Sequence, residues 1–133
     1  MNHPLIRVGT IYLPVQEVDR SAVWYKEKLG AVIHYKDEQK AIIGLADISI
    51  FLVKSSPEQT SNFVDEDGSD RFAITFEVDG KEALRSLQEE LKDKGVEVGE
   101  IEDRGHPGLN FVFEDVNGNR LDVWSELSPD YGG

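Results

Sequence analysis

The sequence predicts an α+β fold made of two tandem βαβββ modules. Three observations carry this reading. The order strand, helix, three strands occurs twice along the chain. Val15 and Gly30 in the first half match Val78 and Gly95 in the second, which makes the second helix region two residues longer. Between the halves, residues 54–70 are polar and acidic and carry Pro57 and Gly68, a composition suited to a linker rather than a core. The 133 residues therefore read as a single domain of two modules, about 1–56 and 70–133.

The first module opens with a strand through residues 5–13, which Pro14 should end because proline cannot donate to a ladder. A helix begins near Asp19 or Ser21, either of which can cap its free N–H groups. Val18, Ala22, Tyr25 and Leu29 form its apolar stripe, and Gly30 ends it as a left-handed cap. Trp24 lies off that stripe and is a candidate dimer contact. Strands follow at 31–35, 41–45 and 48–53.

In the second module, residues 71–78 alternate most cleanly of any segment and predict its strongest strand. A helix covers 81–94, with Leu84, Leu87 and Leu91 as its stripe and Gly95 beyond it. Strands follow at 96–101, 109–114 and 120–126. Asn117-Gly118 predicts a tight hairpin with positive φ at both central residues. Asp65-Glu66-Asp67, in the linker, reads as a solvated acidic face.

Composition narrows the function. Fourteen Lys and Arg stand against 26 Asp and Glu, a net charge of −12. That field repels phosphate backbones and anionic lipid surfaces, so no nucleic acid and no membrane partner is expected. It attracts small cations. The absence of cysteine excludes disulfides, thiolate nucleophiles and Cys-based zinc sites. No apolar run approaches a membrane span, and the first residues lack the basic and apolar pattern of a leader, so a cytoplasmic location is expected.

Two motifs resemble a known family. Val18-Asp19-Arg20-Ser21-Ala22-Val23-Trp24-Tyr25, followed by Lys28-Leu29-Gly30, resembles the first helix of the vicinal oxygen chelate superfamily. That group contains glyoxalase I, bleomycin resistance proteins, fosfomycin resistance enzymes and extradiol dioxygenases. Glu114-Asp115-Val116-Asn117-Gly118-Asn119-Arg120-Leu121-Asp122-Val123-Trp124 resembles its closing hairpin, with Val116 where proline is usual. The resemblance implies a curved mixed sheet around a pocket, the glyoxalase/bleomycin resistance/dioxygenase fold, and a homodimer. Carried over position by position, the metal ligands of the metal-dependent members fall on Thr10, on or near Phe51, on Ala73 and on Asp122. Three of these offer no strong donor, and a lone carboxylate holds a divalent ion weakly. No metal and no cofactor is therefore expected, and the chain is closest in type to the metal-free members.

Strand alternation assigns the remaining faces. Ile11, Leu13 and Val15 should pack under the first helix, leaving Thr10 and Tyr12 for a pocket. Ile74, Phe76 and Val78 should pack under the second, leaving Ala73, Thr75 and Glu77. Leu121 and Val123 are core, leaving Asp122 and Trp124. With Phe51, the ligand-binding candidates Thr10, Tyr12, Phe51, Ala73, Thr75, Asp122 and Trp124 line an aromatic, mildly polar cavity suited to a small aromatic or cationic organic molecule. Asp122, Glu77 and the loop residue His106 are the candidate acid–base groups. Of the other histidines, His34 reads as a partly exposed strand residue and His3 as part of a frayed terminus.

Three functions fit these residues. The first is a metal-free small-molecule binder. The second is a divalent-metal-dependent lyase or dioxygenase. The third is a metal-independent acid–base enzyme.

Overall fold

A computed structural model describes residues 4–129; His3 lies outside them. The chain folds as two compact units that divide between Thr60 and Ser61.

The first unit holds β1 (Thr10–Val15), α1 (Val18–Leu29), β2 (Val32–Lys36), β3 (Lys40–Leu45) and β4 (Ile48–Lys54). Its sheet runs β1-β4-β3-β2, with β1 parallel to β4 and the other pairs antiparallel. Strand β1 starts five residues later than the sequence alone predicts and continues through Pro14, which sits opposite Val53. The proline is tolerated because β1 is an edge strand of this sheet, so its missing N–H removes no ladder bond.

Helix α1 begins at Val18 with Glu17 as its N-cap, and no side chain caps it. Asp19 and Ser21 therefore do not cap it. Asp19 instead pairs with Lys36, and Ser21 is buried. Gly30 ends the helix in the left-handed region, at φ 74°. Val18, Ala22 and Tyr25 are buried with Leu13, Val15, Ala41, Ile43, Ile50 and Leu52. Each large apolar side chain in such a core contributes about 1.5–3 kcal/mol relative to an exposed one. Trp24 stands edge-on to Tyr25, their ring centroids 5.0 Å apart.

The second unit contains a short hairpin of β5 (Phe63–Val64) and β6 (Asp70–Arg71), then β7 (Thr75–Glu77), α2 (Lys81–Asp93), β8 (Glu97–Val98), β9 (Asn110–Glu114) and β10 (Arg120–Trp124). Its main sheet runs β7-β10-β9-β8, the same pattern as the first, with β7 parallel to β10. The long strand expected over 71–78 is split. Arg71 pairs with Phe63 in the small hairpin, the chain bends at Ala73, and pairing with β10 resumes where Ile74 accepts a hydrogen bond from the Asp122 amide.

Asp65 does not simply face solvent. Its carboxylate accepts from the Asp67 and Ser69 amides and shapes the β5–β6 turn. On α2 the buried residues are Leu84, Gln88 and Leu91. Gln88 takes the place expected for Leu87 because its amide donates to the Gly99 carbonyl at 2.9 Å, which removes the cost of burying it.

Two turns exchange roles relative to expectation. Asn117-Gly118 is not a turn with two positive φ values: only Gly118 is left-handed, at φ 86°. Gly118 donates back to the Asp115 carbonyl, and Asp115 donates to the Asn119 carbonyl, closing a wider turn. The two-residue turn with both central φ values positive lies instead at Ala46 (52°) and Asp47 (63°), between β3 and β4.

Candidate functional site

In the central strand β10, Leu121 and Val123 point into the core, and Asp122 points to the opposite face of the sheet. The register places Thr75, Asp122 and Val112 in one row across that face, and Glu77, Trp124 and Asn110 in the next. Asp122 is nevertheless only 1% exposed. Three side chains close over its carboxylate. Thr75 Oγ1 donates to Oδ2 at 3.0 Å and Asn110 Nδ2 donates to Oδ2 at 3.0 Å. Arg104 lays its guanidinium against both oxygens, Nη2 on Oδ1 at 3.1 Å and Nη1 on Oδ2 at 3.4 Å.

Arg104 comes from the long loop between β8 and β9. Burial disfavours its charge, but its contacts with Glu102 and Asp122 outweigh that and hold its pKa above the ordinary value. Its guanidinium also lies over the Phe72 ring, 5.4 Å from the centroid. The Asn110 amide can be oriented only one way, because its oxygen would repel the carboxylate. That leaves Asn110 Oδ1, among the described residues, a buried acceptor without a partner.

The same loop is fastened to the next row of the sheet. The Trp124 indole donates to the Pro107 carbonyl at 2.8 Å, and the Leu109 amide donates to Ser125 Oγ at 2.8 Å. His106 stands edge-on to Trp124, at 5.8 Å and 89°. It is exposed, and its Nδ1–H donates to the Pro107 carbonyl at 2.9 Å. Glu77 accepts from the Ser128 amide at 3.0 Å and from the Ser128 hydroxyl. Ala73 is exposed at the bend before β7.

On the corresponding face of the first unit, Tyr12, Phe51, Ile42 and Tyr35 form one row across the sheet. Tyr12 is 65% exposed and packs against Phe51 at a centroid distance of 5.0 Å. Thr10, Ser49 and Gly44 form the next row. His34 lies over Gly44 and lines a concavity with Arg7 and Ser49.

Among the sequence candidates, the structure brings Thr75 and Asp122 into direct contact, and Tyr12 with Phe51. His106 and Trp124 also meet, whereas Glu77 is taken up by Ser128. Sequence reasoning missed Arg104, Asn110 and Phe72. Asn110 was readable, because Phe111 and Phe113 alternate with it and fix it on the polar face. Arg104 stands two residues before His106 in the same glycine-flanked loop, but no pattern in the chain says that it turns back onto Asp122.

The family model described as Glyoxalase/Bleomycin resistance protein/Dioxygenase superfamily matches residues 5–123. The chain belongs to that superfamily. No curated protein matches it. Among solved structures, the fosfomycin resistance protein FosX from Listeria monocytogenes superposes with a TM-score of 0.74 at 15% identity, covering 95% of this chain and 97% of that one. A lactoylglutathione lyase from Agrobacterium tumefaciens gives 0.73 at 15% identity, covering 92% and 95%. TnmS3, an antibiotic binding protein from a Streptomyces species, gives 0.71 at 17% identity, covering 92% and 98%. At these identities the likeness is one of fold.

The metal that many members use does not fit the residues here. Thr10, Phe51 and Ala73 supply no donor of the kind a first-row divalent ion requires. Asp122, the fourth position that the resemblance implies, already has a guanidinium on both carboxylate oxygens. Among the described residues no group of three or more His, Asp or Glu side chains converges. No helix of the described residues is long and apolar enough to cross a membrane.

Proposed function

We propose that this superfamily member binds a small organic molecule without a metal, on the sheet face that carries Asp122. The observation that carries the reading is the Arg104–Asp122 pair. A positive charge already occupies the carboxylate that a metal-dependent relative would present to its ion. The Phe72 ring and the Trp124 indole are flat apolar surfaces that suit a planar molecule, and Asn110 Oδ1 is, among the described residues, an unpartnered acceptor buried beneath that face. TnmS3 is described as an antibiotic binding protein and FosX as a fosfomycin resistance protein, so sequestration or resistance is a reasonable setting for such a binder. The homodimer belongs to the same reading. Exposed Leu5, Ile6 and Val8 supply apolar surface for it.

The test is metal analysis with binding measured in parallel. Protein purified without chelator should hold no stoichiometric zinc, nickel, iron or manganese. Titrating those ions should leave its melting temperature unchanged. One equivalent of tightly held metal would overturn the reading. Sedimentation velocity tests the dimer.

A further inference from the structure

Half of the arginines in this strongly acidic chain gather around one concavity of the second unit. Arg71, Arg104 and Arg120 line a hollow of about 340 Å³, with Phe72 and Val112 as its apolar wall. Arg71 and Arg104 both lie over the Phe72 ring, at 5.6 and 5.4 Å from its centroid. Three guanidinium groups at one hollow repel one another unless negative charge sits among them.

The protein's own carboxylates meet that need unevenly. Arg104 is firmly held by Glu102 at 2.8 Å and by Asp122 at 3.1 Å. Arg71 reaches Asp65 only at 3.9 Å, and Arg120 reaches Asp70 and Glu114 at 3.4 and 3.7 Å. Arg120 keeps a long hydrogen bond to Asp70, and Arg71 has, among the described residues, only the distant Asp65, so both are held less closely than Arg104. Asp70, Glu100 and Glu102 also line the rim, so the hollow is not a general sink for anions. It selects an anion whose body gains from the aromatic wall.

We infer that this hollow binds the carboxylate of a small planar organic acid. The carboxylate would sit between Arg71 and Arg120, since a guanidinium fork can pair with both oxygens of a carboxylate, and the flat body would lie along Phe72 and Val112. The inference rests on the metal-free reading and reverses the sign of ligand charge expected from net charge alone. A cation inside the hollow would face three guanidinium groups, whatever the chain's overall field.

The test uses the full chain and four probes: benzoate, inorganic phosphate, benzyl alcohol and benzyltrimethylammonium. Each is titrated into 15N-labelled protein and followed by amide shifts. Benzoate should bind, shift the amides of Arg71, Phe72, Gly99 and Arg120, and weaken as salt rises. Arg71→Gln and Arg120→Gln should each weaken benzoate by about tenfold. Arg85→Gln, on the outer face of α2, should not. Far-UV circular dichroism confirms folding. If a variant fails to fold, the wild-type shift map decides by itself.

Shifts confined to other residues would overturn the inference, and so would phosphate binding as tightly as benzoate. Preferential binding of the cation or the neutral alcohol would overturn it while leaving metal-free binding intact. A stoichiometric metal would instead remove the functional reading beneath it.

Discussion

The guanidinium of Arg104 spans both oxygens of Asp122, joining a loop side chain that is 26% exposed to a strand carboxylate that is almost wholly buried. The strand alone would leave a charged group sealed between two core residues, which is costly unless it is paired and hydrogen-bonded. The pair therefore ties the conformation of the loop to the electrostatics of the sheet. Arg104→Met should lower stability by about 1–3 kcal/mol, below the range for a fully buried pair because the guanidinium keeps some solvent. Arg104→Met combined with Asp122→Asn should recover part of that loss, since no carboxylate is then left alone. Urea unfolding midpoints of the two single variants and the double variant measure this. Additive losses would show that the pair contributes no coupling.

The loop that delivers Arg104 has a glycine, Gly108, where a side chain would meet both backbone strain and close neighbours. Gly108 has φ 82°, and a Cβ there would lie 2.6 Å from Glu126 Cγ, 2.7 Å from Ser125 Oγ and 2.8 Å from the Trp124 indole nitrogen. Gly108→Ala should cost about 1–3 kcal/mol through backbone strain and displacement of Trp124. A shifted tryptophan emission maximum should accompany the loss. Gly44→Ala is the contrasting case. Its Cβ would meet only the Nε2 end of the His34 ring, at 2.7 Å, and an exposed imidazole can swing away. That substitution should cost under about 0.5 kcal/mol and should move the His34 ring resonances.

The fold was legible in the sequence where its residues are periodic and not where they depend on distant partners. Periodicity found both helices, because their buried residues recur at helical spacing: Val18, Ala22 and Tyr25 in one, Leu84 and Leu91 in the other. It also assigned the faces of β10, so Asp122 was placed opposite Leu121 and Val123. It overextended the strand at 71–78, because alternation records side-chain polarity and not which neighbour supplies hydrogen bonds. Arg71 had a partner in Phe63 that no local pattern announces. The Arg104 contact was invisible for the same reason. A loop residue that returns 18 positions along the chain to cover a carboxylate leaves no periodic trace. Net charge averages over a surface on which arginines are unevenly placed, so it does not report the local field at the hollow that Arg71, Arg104 and Arg120 line.

The β2–β3 turn makes a prediction about pH. Asp37 accepts hydrogen bonds from the Tyr35 hydroxyl at 2.7 Å and from the amides of Gln39 and Lys40 at 2.8 and 2.9 Å. The Tyr35 contact, then the two amides, hold its carboxyl well below the ordinary value of 3.8. A depressed folded-state value means that this group's stabilisation is present above about pH 4 and disappears as pH falls through the lower folded value. The partner behaves in mirror image. Tyr35 is raised above 10.0 by its bond to Asp37, so its share is complete below that pH and is lost as pH rises through the folded value. A carbon-detected titration should show the Asp37 carboxyl still ionised at pH 3. Asp37→Ala should remove the corresponding acid dependence of stability. An Asp37 midpoint at the ordinary value would show that the turn exists without these bonds.

The last prediction concerns the turn that closes β9 and β10. Asp115 Oδ1 accepts from the amides of Asn117 and Asn119, and its Oδ2 accepts from the Asn119 side chain at 2.9 Å. Asn119 is fully buried and accepts in turn from the Ser61 amide at 2.8 Å. Asn62 bonds the Gly118 carbonyl and the Arg120 amide from the same side. The entry into the β5–β6 segment is thus pinned to the turn that precedes Asp122. Asp115→Ala deprives three donors of this acceptor and should cost about 2–4 kcal/mol. Asp115→Asn retains one acceptor oxygen but confronts the Asn119 amide with another amide nitrogen, so its cost should fall between. Hydrogen exchange at Ser61 and Arg120 should quicken in the same order, because both amides are held by the network that Asp115 anchors. Exchange unchanged at those two positions would show that Asp115 stabilises only its own turn and does not fix the linker against the sheet.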